Sequence, residues 1–478
     1  MSATIFTIKR SEIEGRLDPI YYIRKNELVG LKHIRLEKIG KHFFVKDGDH
    51  DKLPADAVTN ELEGFRYLRA QDLKDNKIIS EKPIYVTKKY FESVRRCHIY
   101  PNDLLFSIMA SVGATAVVPK DSPVCTANRA VGILRTKPES LFMPQYVQVV
   151  LNTELGIKLL ELQKRGGIQQ RVNLEDISNL ELPVFDFERQ HKIIDFYNSS
   201  LFQKEQKQQQ AKQLLDSIDS YLLKELRIKL PEKDNSLSKR IFTTKFSEVS
   251  GGRWDPKFYS TEAKSIKKAV ENSKYNTKVL EEFFVQSVAG DWGYEEDENI
   301  PNTTKCLVIR STEFDNDYNL KLDNTRAKYR LIPNLKLKKI DLRENDLLIE
   351  KSGGSEDQPV GRIAILTKDI LESATLCFSN FIHKIRVHDI DAEYLFCFLK
   401  TAHNIKLTET MFAQTNGLQN LIMQTYFNQK IPLPPLPKQK EIASHIREIR
   451  EQAKQLQVEA EQTMQEAKKQ IEKMILGE

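Results

Sequence analysis

Long apolar runs are missing from this chain. Nowhere in its 478 residues do about 18 apolar side chains follow one another, as a membrane-spanning helix requires. The first ten residues have neither the apolar stretch nor the small-residue cleavage site of a secretory leader. A cytoplasmic protein with no membrane partner is the expectation. Cysteine is scarce: the five (Cys97, Cys125, Cys306, Cys377 and Cys397) form no C-x-x-C pair. Their odd number and long, uneven spacing argue against a disulfide framework or a zinc site. The nine histidines contain no H-E-x-x-H, and His383 and His388 fall in a strand-like stretch where a structural role is expected. No G-x-x-x-x-G-K-[ST], no G-x-G-x-x-G opening a helix and no G-x-S-x-G is present. Gly353-Gly354 follows Lys351-Ser352 in the wrong order for a phosphate loop and reads as a turn. Carboxylates are plentiful but form no recognisable nuclease constellation. These absences favour a binding protein over an enzyme, with no cofactor or metal of its own.

The chain does contain a repeat. Ser11-Glu12-Ile13, Gly15-Arg16-Leu17-Asp18-Pro19 and Tyr21-Tyr22 return as Ser247-Glu248-Val249, Gly252-Arg253-Trp254-Asp255-Pro256 and Phe258-Tyr259. Asn102-Asp103-Leu104-Leu105 returns as Asn345-Asp346-Leu347-Leu348, Cys125-x-x-Asn128 as Cys377-x-x-Asn380, and Gly167-Ile168-Gln169 as Gly417-Leu418-Gln419. Leu182-Pro183 with Gln190 and Ile193 returns as Ile431-Pro432 with Gln439 and Ile442. Any one match is weak, since Asn-Asp and Asp-Pro are common turn pairs. Their shared order makes the chain a tandem duplication of a unit of roughly 240 residues. That is a natural division for a chain too long for one core, since single cores stop growing at roughly 250–300 residues.

Each copy ends in a charged segment nearly free of glycine and proline. Tyr197, Leu201, Ala211, Leu215, Ile218 and Leu222 follow an alternating four–three spacing, interrupted by Lys204 and Gln208. Ile442, Ile446, Ile449, Ala453, Leu456, Ala460, Ala467 and Met474 repeat it, interrupted by Thr463 and Gln470. A seven-residue repeat lines one seam of a helix, which needs a partner. Two such seams in one chain are expected to pair with each other, antiparallel, with homodimerisation through the same seams as the alternative. Pro432, Pro434, Pro435 and Pro437 lead into the second helix; a PxxP ligand for an SH3-type module is the other reading. The globular portions read as mixed α/β. Strand-like runs fall at 82–86, 104–108, 116–118, 131–135, 307–310, 347–350, 362–366 and 382–387, and helical patterns at 144–162 and 392–404. The expected division is 1–185 and 241–435 as two domains, 186–230 and 436–478 as long helices, and 231–240 as a linker.

Charge is informative by position, since the total of 73 Lys+Arg against 67 Asp+Glu is only +6. The long helices are nearly balanced. Lys82, Lys88, Lys89, Arg95 and Arg96 face one acid, Glu92, across 82–100. Arg326, Lys328, Arg330, Lys336, Lys338, Lys339 and Arg343 face one acid, Asp341, across 324–343. Both clusters precede the repeated Asn-Asp-Leu-Leu, and both carry tyrosine (Tyr85 and Tyr90; Tyr329). Two equivalent phosphate-binding surfaces are the expectation, with a solvated loop in each copy as the alternative. Base reading needs forked polar side chains. Candidates are Arg66, Arg69, Arg129, Gln169, Gln170 and Arg171 in the first copy, and Arg310, Lys351, Gln419 and Asn420 in the second.

This architecture resembles the DNA-sequence specificity subunit of type I restriction–modification systems. The most specific stretch is Ile431-Pro432-Leu433-Pro434-Pro435-Leu436-Pro437-Lys438-Gln439-Lys440-Glu441-Ile442, which looks like the family's proline–glutamine approach to its conserved helix. Phe65-Arg66-Tyr67-Leu68-Arg69-Ala70-Gln71-Asp72-Leu73, and Ser352-Gly353-Gly354 with Pro359-Val360-Gly361-Arg362, are similar to segments of its target-recognition domains. The first copy departs from the pattern with Pro183-Val184-Phe185-Asp186-Phe187 but keeps Gln190. The resemblance implies a non-catalytic subunit whose two target-recognition domains, held apart by an antiparallel coiled coil, each read half of a split site in double-stranded DNA. It also implies two DNA methyltransferase subunits and restriction–translocase subunits as partners, to which S-adenosylmethionine, ATP and magnesium would belong. A specificity subunit of a related fused methylase–nuclease system, a coiled-coil interaction protein without a DNA role and an unrecognised nuclease are the alternatives.

Overall fold

The computed structural model describes residues 7, 33–109, 112–163, 172–232, 236, 241–250, 256–298, 300–315, 319–322, 328–355, 358–415 and 418–477. The repeat anchors at 11–22, 167–169, 252–255 and Gly417 lie outside them. The chain forms two compact units, Met1–Lys207 with Val458–Glu478, and Gln208–Gln457.

In the first unit, four strands form one antiparallel sheet in the order Phe43–Asp47, Val131–Thr136, Leu104–Ser107, Thr115–Val117. A second sheet runs Thr126–Ala127, Phe65–Leu68, Ile84–Val86, Val58–Thr59, with its first pair parallel. The short pair Leu36–Lys38 and Glu181–Pro183 leads to the first long helix, Phe187–Glu225. The second unit repeats this order: Phe284–Ala289, Ile382–Val387, Leu347–Glu350, Ile363–Ile365 in one sheet. Leu376–Phe378, Thr303–Ile309, Tyr329–Pro333 form another, and Thr277–Val279 with Lys430–Pro432 precedes the second long helix, Leu436–Leu476. The central strands open on apolar runs, as burial on both faces favours: Leu104, Leu105 and Phe106, and Leu347, Leu348 and Ile349, are inaccessible to solvent.

The repeated Asn-Asp-Leu-Leu is a structural device. Asn102 and Asn345 sit at φ +66° and +68°, the left-handed region that asparagine tolerates. The next aspartate turns inward. Asp103 accepts from Arg135 Nε at 2.9 Å and Asp346 from Arg386 Nε at 2.7 Å, each arginine lying on the neighbouring strand. In the second unit Lys384 joins the cluster, with Nζ 3.0 Å from Asp346 and 2.6 Å from Gln286 Oε1. Burial pulls the Lys384 ammonium down from its ordinary pKa, and the Asp346 charge opposes that pull. By strand register the corresponding residue of the first unit is Ile133.

The proline–glutamine signature is also a device. Gln190 Oε1 accepts from Met143 N at 2.9 Å, while Nε2 donates to the carbonyls of Leu141 and Phe185. Gln439 Oε1 accepts from Asp391 N at 2.8 Å, while Nε2 donates to the Pro434 carbonyl. Tyr146 and Tyr394 donate to the carbonyls of Pro183 and Pro432. Each long helix is thus locked at its start to the helix that packs on its own sheet, Pro144–Leu151 or Ala392–Asn404.

Within the first unit, Ile193 and Tyr197 share a core with Met464, Ile471 and Ile475. Within the second, Ile218 and Leu222 share one with Ile442, Ile446 and Ile449. Opposite ends of the two helices meet in each unit, so they pair antiparallel. Two sequence expectations need correction. After Ala460 the buried positions are Met464, Ala467, Ile471 and Ile475, so the seam runs one residue later than Thr463 and Gln470 implied, and Gln470 is exposed. The single helix expected over 144–162 is two, Pro144–Leu151 and Glu154–Gln163. Thr153 Oγ1 caps the break, donating to the Val150 carbonyl and accepting from Gly156 N.

A third correction concerns the cysteine anchor. Asn128 N donates to Leu68 O at 3.0 Å and Ser379 N to Ile309 O at 2.8 Å, each one residue before an arginine, Arg69 or Arg310. Asn128 therefore corresponds to Ser379 and Cys377 to Thr126, one residue away from the alignment that the cysteines suggested. All five cysteines are buried. Burial pushes the thiols of Cys125, Cys377 and Cys397 up to about 12, which leaves them protonated.

Candidate nucleic-acid interface

The basic segments occupy the same place in both copies. Ile84–Val86 leads into a helix, Lys88–Ser93, and then the central strand Leu104–Ser107. Tyr329–Pro333 leads into a helix, Asn334–Ile340, and then the central strand Leu347–Glu350. The first helix is anchored by Phe91, which stacks between Phe65 (ring centroids 4.0 Å) and His98 (3.9 Å), while Thr87 caps its start. Lys88, Lys89 and Arg95 are exposed, with Lys88 3.9 Å from Glu92. The second helix buries Ile340 and exposes Lys336, Lys338 and Lys339; Gln286 Nε2 donates to the Lys339 carbonyl at 2.7 Å. Lys328 is exposed just before the strand. Beyond the helix, Arg343 and Arg386 hold the Asp341 carboxyl below its usual range.

Two members of these clusters are already bonded within the protein. Arg96 donates to Asp47 at 3.0 Å and to the Gly48 carbonyl, while its side chain stays exposed. Arg330 is 8% exposed, paired with Glu295, bonded to the Trp292 and Gly293 carbonyls and stacked on the Trp292 ring at 4.9 Å. It holds a loop instead of facing solvent with its neighbours.

The candidate base readers divide similarly. Arg69 and Arg310 are equivalent. Each closes a ring with a buried carboxylate three residues on, Asp72 or Glu313, through backbone N–H and guanidinium together. Arg66 lies over the Tyr85 ring at 5.6 Å on the neighbouring strand. Arg129 is exposed in the turn before Val131–Thr136. Lys351 pairs through its backbone with Phe381 and Leu421. Gln419 is buried, its side-chain oxygen accepting from Val360 N at 3.2 Å; Asn420 is half-buried between Ser352 and Ala413 in a three-stranded sheet. Gln419, a base-reading candidate from the sequence, thus braces the Ser352–Gly354 strand from a buried position. Arg362 braces the same region from within, donating to Glu350 at 2.8 Å and to the Phe314 and Ser311 carbonyls. Gln169, Gln170, Arg171 and Arg326 lie outside the described residues.

Sequence reasoning missed a pair of loop aspartates. Gly48-Asp49 and Gly290-Asp291 follow the two equivalent edge strands. Asp49 N donates to the Ala127 carbonyl (2.7 Å) and Asp291 N to the Phe378 carbonyl (2.9 Å). Asp49 Oδ2 accepts from the Tyr90 hydroxyl at 2.6 Å, and Asp291 Oδ2 lies 3.5 Å from Lys336 Nζ. The signal was available: Gly-Asp recurs at the repeat spacing, but a two-residue match is common.

The model of the type I restriction modification DNA specificity domain matches residues 49–214 and again 272–462. The chain belongs to this family. It carries two copies of the specificity domain, which the duplicated fold and the paired basic helices reflect. Over 133 residues it is 23% identical to the specificity subunit of the EcoBI type I restriction enzyme of Escherichia coli. That alignment takes in 28% of this chain and only 27% of the relative. Among solved structures, the S subunit of a type I system from M. genitalium is 14% identical, with TM-score 0.41 over 93% of this chain and 96% of that one. The HsdS subunit of Thermoanaerobacter tengcongensis is 16% identical, with TM-score 0.35 over 93% and 96%. A chain from a structure of type I complex assembly and conformational transition is 16% identical, with TM-score 0.49 over 92% and 96%. Membership of the specificity-domain family rests on the double match. No described helix is long and apolar enough to cross a membrane.

Proposed function

We propose that this chain is the DNA-sequence specificity subunit of a type I restriction–modification complex. Each of its two domains reads one half of a bipartite target in double-stranded DNA, and the chain scaffolds methyltransferase and restriction–translocase subunits. It does no chemistry itself; S-adenosylmethionine, ATP and magnesium belong to the partners. The observation that carries this reading is the doubled specificity domain with an exposed basic helix at one topological position in each copy. In the first domain, Lys88, Lys89 and Arg95 supply sequence-independent phosphate contacts, as do Lys328, Lys338 and Lys339 in the second. Arg66, Arg129, Lys351 and Asn420 remain the base-reading candidates among the described residues. Arg69 and Arg310, tied to their carboxylate partners, would have to exchange those bonds to read a base.

Mapping modified bases across the host genome, with and without the gene, tests the proposal. A split motif, methylated only when the chain is present, is the expected result. A continuous motif, or methylation independent of the chain, overturns it. Methylation and cleavage that purify with a single fused partner polypeptide would favour the fused methylase–nuclease alternative.

A further inference from the structure

We infer that Asp49 and Asp291 are positioning residues for DNA binding, each fixing the basic helix of its own domain from an equivalent Gly-Asp loop. The inference rests on the proposed DNA-reading function and adds a residue role to it. Both loops are pinned from behind. A Cβ on Gly48 would lie 2.1 Å from the Asn128 carbonyl oxygen, and one on Gly290 would lie 2.2 Å from that of Phe378. Only glycine lets the loop come this close to the second sheet. The following aspartate donates its N–H to that sheet in both copies. Its carboxylate then splits its work in the same way twice. Oδ1 faces the loop's own N–H two residues on, at 3.5 Å from Asp51 N and 2.9 Å from Gly293 N. Oδ2 reaches the basic helix, at Tyr90 in one domain and Lys336 in the other.

The group on the helix differs, a phenol in one copy and an ammonium in the other, so what the two copies share is the place of the carboxylate. Simple electrostatics gives this arrangement a distinctive sign. An acid beside a phosphate-binding helix opposes DNA through its charge. If the basic helices worked by charge alone, removing Asp49 or Asp291 would tighten binding. If the carboxylates orient the helices, removing them weakens it in spite of the added positive charge.

The test uses the full chain, purified with the methyltransferase subunits that accompany it, and a duplex carrying the motif methylated in the host. Asp49→Ala and Asp291→Ala are each expected to weaken binding by roughly three- to thirtyfold, within the span of coupling between groups in contact. Tyr90→Phe, which changes no charge, should reproduce the Asp49→Ala loss, and the double variant should be no worse than either single one. Asp49→Asn keeps an acceptor for the loop N–H and offers an amide N–H that the Tyr90 hydroxyl can accept; its melting temperature and its binding should both stay at the parent's level, and a loss as large as that of Asp49→Ala would overturn the inference. Tighter or unchanged binding in the alanine variants, or additive losses in the double variant, overturns the inference while leaving DNA reading intact. A parent chain that does not bind the duplex overturns the proposed function, and the inference with it.

Discussion

The side-chain oxygen of Gln439 accepts the backbone N–H of Asp391 at 2.8 Å, as Gln190 accepts that of Met143 in the other copy. A buried amide that both accepts and donates cannot be replaced by a group doing only one of the two. Gln439→Ala should cost about 2–3 kcal/mol, because a buried N–H and a buried carbonyl lose their partner together. Gln439→Glu, which keeps the acceptor and loses the donor, should also destabilise the fold. Urea unfolding measures both, and a neutral Gln439→Glu would show that the Pro434 hydrogen bond contributes nothing.

The two repeated aspartates should differ in weight. Asp346 holds two cations, Lys384 and Arg386, and is inaccessible, whereas Asp103 accepts from Arg135 and from the backbone N–H of Tyr100. Asp346→Asn leaves a buried lysine without its counter-charge and should cost about 3–5 kcal/mol. Asp103→Asn should cost less, since the side chain of Arg135 is 31% exposed. Equal losses would contradict the role assigned to Lys384.

Charge and burial separate the basic residues of the second domain. Removing Lys338 and Lys339 together should weaken DNA binding on every sequence and reduce the salt slope by roughly one for each phosphate left unneutralised. Arg330→Ala should instead lower the melting temperature, because it takes a buried guanidinium from Glu295 and two carbonyls. A large change in salt slope without a stability loss in that variant would place Arg330 on the DNA.

His383 makes one acid-sensitive contribution. Burial lowers its imidazole to about 4 from an ordinary 6.5, with Lys351 adding to the shift, and its Nε2 lies 2.7 Å from Ser287 Oγ. The folded state therefore prefers the neutral ring. That preference stabilises the fold fully above about pH 6.5 and is lost as pH falls toward 4. His383→Gln should flatten the decline of unfolding free energy over this window. An unchanged decline would assign the acid sensitivity elsewhere.

The duplication, the two long helices and the position of the basic segments were legible because each leaves a periodic or repeated trace. Strand 347–350 and helix 392–404 have the bounds that their apolar patterns implied. The coil register after Ala460 was not legible, since Thr463 and Met464 are adjacent and only packing chooses between them. The Cys125–Cys377 pairing misled because identity outweighed register: the hydrogen bonds of Asn128 and Ser379 set the alignment one residue away. Arg330 read as a phosphate contact and Gln419 as a base reader because composition cannot show that a carboxylate or a backbone N–H already waits for them. The loop aspartates escaped notice for the opposite reason, having too short a motif to stand out.

The central claim is that each domain reads its own half-site. Exchanging residues 1–185 for those of a family member with a different target, then mapping methylated bases genome-wide, tests it most directly. One half of the split motif should change while the other half stays as it was. A simultaneous change in both halves would contradict the account.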